Sequence, residues 1–211
     1  YKAQLEVLPT VLPGNSTFMD IGTSNTLTSI SVVVPCSVPD GQLSTDLEQQ
    51  YLAALVVDFE TQVDMAQGRA IHSVFIGGGT PSLISAQGYQ WLFGQLKARL
   101  DFEVDCEITL EANPGTVEHD PFADYLTVGI NRLSLGVQSF DPEHLQRLGR
   151  IHSANNALDA IQQARQAGFE RVNVDLMHGL PQQTEEQALT DLKLAVEQGA
   201  THISWYQLTI E

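Results

Sequence analysis

Apolar residues in this chain recur with two periods that take turns. Behind Thr45-x-x-Glu48, which has the form of a capping box, Leu52, Leu55, Val56, Phe59 and Val63 fall at helical spacing, and Gly68 marks the end of that helix. Further helices are predicted over 85–100, with Leu92, Phe93, Leu96 and Leu100 on one face, over 117–127, over 153–167, and over 184–198, where Thr184-x-x-Gln187 repeats the capping form. Between them lie short β-branched or aliphatic runs at 72–76, 107–111, 131–137, 171–176 and 202–208. Strands that alternate with helices in this way build a parallel α/β architecture.

Three segments align without gaps: Gly129-Ile-Asn-Arg132-Leu-Ser-Leu135, Gly168-Phe-Glu-Arg171-Val-Asn-Val174 and Gly199-Ala-Thr-His202-Ile-Ser-Trp205. Each has a glycine that ends a helix, two linker residues, a cationic or imidazole side chain, and then a strand. We read them as successive βα units of a barrel rather than a solenoid, because the loops between them differ in length.

Within the strands, side chains alternate between faces. Ile108 and Leu110 oppose Thr109, Glu111 and Asn113; Leu133, Leu135 and Val137 oppose Ser134, Gly136 and Gln138. Val172, Val174 and Leu176 oppose Asn173 and Asp175; Ile203 and Trp205 oppose Ser204 and Tyr206. The apolar face must meet the helices, so the small and polar face converges inside. A closed barrel packed solid fills its interior with Val, Ile and Leu, whereas this interior reads as roomy and polar. Glu111, Gln138 and Asp175 stand at the C-terminal ends of their strands, where barrel active sites form. At the same end of its own strand lies Gly77-Gly-Gly-Thr-Pro81, a stretch of backbone without side chains that leaves its N–H groups approachable.

The first 37 residues differ. They hold only three charged residues, Lys2, Glu6 and Asp20, and are rich in Ser and Thr over 14–31. The run 30–34, stopped by Pro35, is the one strand-like stretch. We expect a division into an atypical segment, 1–37, and a partial barrel, 38–211. If 27–37 pair in parallel beside 72–76, the barrel is complete enough to bind ligands; if they do not, it has an exposed edge.

Composition narrows the function. A hydrophobic share of 43% and a charged share of 17% are those of a globular protein. A net charge of −16 excludes a phosphate backbone or an anionic membrane as partner. Apolar runs are too short for a transmembrane helix, and the cytoplasm is the default location. The six histidines lack paired ligand spacing, and the two cysteines, Cys36 and Cys106, form no ligand pattern. Singly, each feature has a plain alternative: a tight turn for the glycines, ordinary strand-end polar groups for Gln138 and Asp175, a solvated loop charge for Arg150. A phosphate site at 77–80, with Glu111 or Asp175 as acid or base, also fits the residues.

Five ordered motifs go further: Gly77-Gly-Gly-Thr-Pro81, Glu111-Ala-Asn-Pro-Gly115, Leu135-Gly-Val-Gln-Ser-Phe140, Arg147-Leu-Gly-Arg-Ile-His152 and Val174-Asp-Leu-Met-His-Gly-Leu-Pro181. Together they resemble the oxygen-independent coproporphyrinogen III oxidase group of radical S-adenosylmethionine (SAM) enzymes, nearest to its bacterial haem-chaperone branch. The resemblance spans 38–211. It implies an open, partial (β/α)6 TIM-like barrel of parallel strands with outer helices, and SAM bound across the C-terminal strand ends. By motif, Gly78, Gly79 and Thr80 would meet the methionyl amino end of SAM, and Glu111, Gln138, Arg150 and Asp175 its amino-acid and ribose parts. Haem or a porphyrin is a further candidate ligand. The family also holds a [4Fe–4S] cluster on Cys-x-x-x-Cys-x-x-Cys, a motif this sequence lacks, so the cluster is not expected on this chain. The expectation is therefore a partial or altered member, inactive as it stands. The alternative is a non-catalytic module that binds SAM, haem or a partner protein.

Overall fold

The computed structural model describes residues 19–23, 27–34, 44–115 and 119–209. Seven strands form one sheet in sequence order: β1 (Met19–Thr23), β2 (Thr28–Val34), β3 (Ile71–Gly78), β4 (Phe102–Ala112), β5 (Arg132–Gln138), β6 (Arg171–His178) and β7 (His202–Gln207). β1 is antiparallel to β2, and every later pair is parallel. The crossovers carry α1 (Thr45–Glu60), α2 (Ala86–Lys97), α3 (Phe122–Thr127), α4 (Pro142–Arg147), α5 (Ala154–Gln166) and α6 (Glu185–Glu197). Among the described residues β1 and β7 have one strand partner each, so the wall is open. This is the α/β, open, partial TIM-like arrangement that the alternating pattern and the family likeness implied.

The apolar faces pack as the alternation requires. Ile108, Leu110, Leu133, Leu135, Val137, Val172, Val174 and Leu176 are buried, with Leu92, Phe93, Leu96, Tyr125, Ile161 and Ala195 from the helices in the same core. Each large side chain buried there contributes about 1.5–3 kcal/mol. Tyr89 stacks on Phe93 at 5.9 Å between ring centroids and meets Tyr125 edge-on at 6.1 Å.

The internal repeat has a structural cause. Gly129, Gly168 and Gly199 adopt φ of 106°, 99° and 92°. In each, the glycine N–H and the next residue's N–H return to carbonyls of the helix just ended: Gly129 to Leu126 and Ile130 to Tyr125, Gly168 to Arg165 and Phe169 to Ala164, Gly199 to Val196 and Ala200 to Ala195. This left-handed closure satisfies the last carbonyls and turns the chain toward the sheet. In the first and third repeats the residue after that locks onto the preceding strand. Asn131 N–H donates to the Ile108 carbonyl, and its side-chain oxygen accepts Ile108 N–H at 2.9 Å. Thr201 does the same to Val172 through its backbone and its hydroxyl.

Several elements differ from the pattern-based expectation. Residues 28–34 do pair in parallel with β3, with Val32 opposite Ile76. β1 was not anticipated. Its free edge is covered by the end of α1 and the residues after it: Met19 N–H donates to Asp58 at 2.9 Å, Ile21 N–H donates to Gln62 at 3.2 Å, and the Gln62 amide donates back to the Met19 carbonyl. α1 ends before Gly68, and a 3₁₀ turn, Val63–Ala66, intervenes. α3 starts at Phe122, because the residue before Pro121 is biased away from helical geometry. β4 begins five residues early; Ile71 pairs with Phe102 but Ser73 pairs with Glu107, so β4 carries extra chain there. The proposed boundary at 37/38 lies outside the described residues.

Two glycine substitutions separate backbone strain from packing. A Cβ at Gly129 meets no atom within 4 Å, and neither does one at Gly94, inside α2. Gly129→Ala is expected to destabilise by roughly 1–2 kcal/mol through its positive φ alone. Gly94→Ala is expected to stabilise by about 0.5–1 kcal/mol through lower unfolded-state entropy and better helix propensity. Urea unfolding midpoints at pH 7 measure both, and shifts of equal sign would refute this account.

Candidate binding site at the strand ends

Parallel pairing sets the residues of the inner face in rows. Gly77 stands opposite Val33, Glu111 opposite Ser134, Ser134 opposite Asn173, and Asp175 opposite Ser204. The glycines work here chiefly by lacking side chains. A Cβ at Gly77 would sit 2.7 Å from Glu111 Oε2 and 2.8 Å from the Phe75 ring. At Gly78, where φ is 106°, it would sit 2.5 Å from the Val34 carbonyl. The N–H groups of this loop are less open than three bare glycines suggest. Gly78 N–H donates to Glu111 Oε2 at 3.2 Å, and Gly79 N–H donates to the Val34 carbonyl at 2.7 Å. Thr80 is half-buried and precedes a 3₁₀ turn, Pro81–Leu83, without a side-chain capping bond.

Glu111 is half-buried, and desolvation pushes its carboxyl above the usual carboxylate range. The Gly78 N–H pulls it back, and the charge of Asp175 pushes it up again. Asp175 is oriented by its neighbours. Ser134 Oγ donates to Asp175 Oδ2 at 3.1 Å, and Asn173 Nδ2 lies 2.8 Å from Asp175 Oδ1. The same Asn173 amide reaches Ser134 Oγ at 2.9 Å and Ser204 Oγ at 3.0 Å. Ser134, Asn173 and Ser204 belong to the polar inner face in the sequence pattern. That they form one network around Asp175 depends on strand register, which the pattern does not specify.

Gln138 ends β5 in the left-handed region, at φ 69°, after a register shift against β6. Its Nε2 lies 3.3 Å from the position a Gly136 Cβ would take, and Asn113 Oδ1 lies 2.9 Å from the same point. Gly136 therefore admits two amide side chains above the sheet. Arg150 is exposed on the loop between α4 and α5, its N–H bonded to the Leu145 carbonyl at 3.0 Å. Among the described residues no ion pair engages Arg150, Glu111 or Asp175. The Arg150 loop is pinned by His152, which is buried against Gly115 and donates from Nε2 to the Val137 carbonyl at 3.0 Å. α4 itself, six residues long, was missed in the sequence; Asp141 caps it through Glu143 N–H at 2.8 Å, with Pro142 in the first turn.

The arrangement offers two acceptor carboxylates, an amide and an uncommitted guanidinium around a glycine-lined strand end. That donor set suits a small zwitterion with hydroxyl groups. It does not suit an iron–sulfur cluster. Such a site needs three thiolates, and the chain has two cysteines. Cys106 is buried in the hydrophobic core, and its thiol is pushed up to about 11 by burial. Cys36 lies outside the described residues. Among the described residues no helix is long and apolar enough to cross a membrane, and no group of three His, Cys, Asp or Glu could hold a metal. A cleft of about 620 Å³ between α1 and α2, flanked by Gln49, Ala53, Gln87 and Trp91, belongs to the helix layer and not to this inner face.

Comparison with known proteins gives the family. The model of the radical SAM superfamily matches residues 36–195. The chain is 52% identical over 168 residues to the heme chaperone HemW of Haemophilus influenzae, covering 78% of this chain and 44% of the relative. It is 53% identical over 161 residues to HemW of Escherichia coli, covering 76% and 43%. Among solved structures it is similar to the coproporphyrinogen III oxidase HemN of Escherichia coli, described as a radical SAM enzyme. The TM-score is 0.67 at 31% identity, over 77% of this chain and 37% of that one. The chain thus spans less than half the length of the relatives it matches.

His152 gives the site a pH signature. Burial lowers its pKa, the Val137 bond partly offsets this, and the Arg150 charge lowers it further. Below about pH 6.5 the unfolded chain takes up a proton that the folded protein refuses, so stability falls as pH drops through that interval. His72, whose pKa is raised by its bond to Glu103, works in the opposite sense and is common to both proteins compared. His152→Gln, which keeps a donor for Val137, is expected to flatten the fall in urea midpoint between pH 7.5 and 5. An unchanged slope in the variant would count against this assignment.

Proposed function

The chain belongs to the radical SAM superfamily, and on that premise we propose that it is a SAM-binding half-barrel of the haem-chaperone and coproporphyrinogen III oxidase type. Gly78, Gly79 and Thr80 line the place of the methionyl amino end. Glu111, Gln138, Arg150 and Asp175 surround the amino-acid and ribose parts, carboxylates accepting from ammonium and hydroxyl groups and Arg150 pairing with the carboxylate. The observation that supports this most is geometric: Glu111 and Asp175 stand at the C-terminal ends of β4 and β6, beside a glycine wall, and among the described residues no ion pair engages either of them. A bound ammonium supplies the missing counter-charge.

In this family the demanding chemistry belongs to the cofactors, and the protein supplies binding and orientation. With two cysteines the chain does not assemble the family's cluster, so the proposal is binding without turnover. Haem or a porphyrin, which the names of the relatives point to, is proposed as a ligand of the longer protein only.

Isothermal titration of SAM into the protein is expected to give one site. Glu111→Gln and Asp175→Asn are each expected to weaken it by about tenfold or more, the loss of one charged hydrogen bond. Affinity is expected to decline on acidification at a pH above the ordinary glutamate range, because protonated Glu111 loses the charge that pairs with the ammonium. Anaerobic reconstitution is expected to leave less than stoichiometric iron and sulfide. No SAM binding by the unmodified protein would sink the cofactor reading, and a stoichiometric cluster would sink the second claim.

A further inference from the structure

The turn that follows Gln138 is anchored by a buried carboxylate from a different βα unit. A left-handed backbone at a residue with a side chain is unfavourable by about 1 kcal/mol or more unless its surroundings fix it. The anchoring group is Asp191, in the middle of α6 and only 3% exposed. Ser139 Oγ donates to Asp191 Oδ2 at 2.7 Å, and Phe140 N–H donates to Asp191 Oδ1 at 2.9 Å. Ser139 N–H turns back to the Val137 carbonyl at 2.9 Å, and Asp141 N–H donates to Ser139 Oγ at 3.0 Å. Both carboxylate oxygens are therefore spent on the two residues that follow Gln138.

Asp191 is an unfavourable choice on stability grounds alone. Burial pushes its carboxyl up; the bonds from Phe140 and Ser139 and the charge of His144 pull it back, and the charge of Asp141 opposes them. No arginine or lysine pairs with it among the described residues. An apolar residue at this helix position would avoid the desolvation. What the carboxylate gives in return is a turn with two donors fixed at once, and this turn aims the Gln138 amide over Gly136 beside Asn113.

We propose that Asp191 is a positioning residue of the ligand site, acting through the turn at Ser139 and Phe140 to hold the Gln138 side chain where the ligand meets it. The ligand side of this proposal rests on the SAM reading above, and the turn itself does not.

The test is a double-mutant cycle read by SAM titration. Asp191→Asn keeps the shape and removes one acceptor. It is expected to weaken SAM binding by about tenfold in the unmodified protein, and by less than about twofold when Gln138→Ala is already present. A merely structural role predicts equal losses in both backgrounds, and that result overturns the proposal. Ser139→Ala, which removes one of the two bonds, replaces Asp191→Asn if the latter does not fold, with the same pair of expectations. If the unmodified protein does not bind SAM, the cofactor reading fails separately. The clamp is then read from the side-chain amide resonance of Gln138 and the exchange rate of the Phe140 amide. Both are expected to change in Asp191→Asn, and an unmoved Gln138 resonance overturns the clamp.

Discussion

Parallel pairing in sequence order is the constraint from which the rest follows. Each strand from β2 to β6 gives one face to helices that can lie only outside, so the other face is surrendered to whatever occupies the interior. Period-two alternation then sorts residues without further instruction, and register aligns them across strands. Glu111, Ser134 and Asn173 share a row because Glu111 pairs with Ser134 and Ser134 with Asn173. Asp175 meets Ser134 diagonally, and Ser204 closes the network from β7. The site is a by-product of sheet geometry, furnished afterwards with particular side chains.

Acidic residues also have a structural role that net charge conceals. Several carboxylates accept backbone N–H groups at loops and element starts. Glu48 takes Ser85 N–H and its hydroxyl, Asp120 takes Ala86 N–H, Asp58 takes Met19 N–H, and Asp191 takes Phe140 N–H. An ionised acceptor makes a stronger bond than a neutral one, and orphan donors concentrate at such places. Part of the −16 is therefore spent inside the fold rather than displayed on its surface.

What the sequence disclosed and what it withheld divide along one line. Elements with a long enough period were legible: α2, α5, α6 and the central strands. The helix-ending glycines were legible too, because their positive φ leaves a compositional mark. β1 was not, since its strand character depends on Asp58 and Gln62 far along the chain. α4 was too short to show a period. At the site, alternation sufficed to place Glu111 and Asp175 at strand ends. It could not show that Gln138 leaves the regular backbone after a register shift, nor that the carboxylate bonded to the next residue, Ser139, lies 52 positions further along the chain. Contacts of that range have no local signature.

The covered edge of β1 gives the sheet a direction. Asp58 and Gln62 occupy backbone groups that another strand would need, so on that side the hydrogen-bond ladder has a terminator built from side chains. At the opposite margin β7 has one strand neighbour among the described residues, and Trp205 and Tyr206 are exposed. The two margins are chemically unequal. A strand supplied from elsewhere is steered to the β7 margin, and two copies joined through this sheet would have to meet edge to like edge, a two-fold contact that cannot grow into a filament.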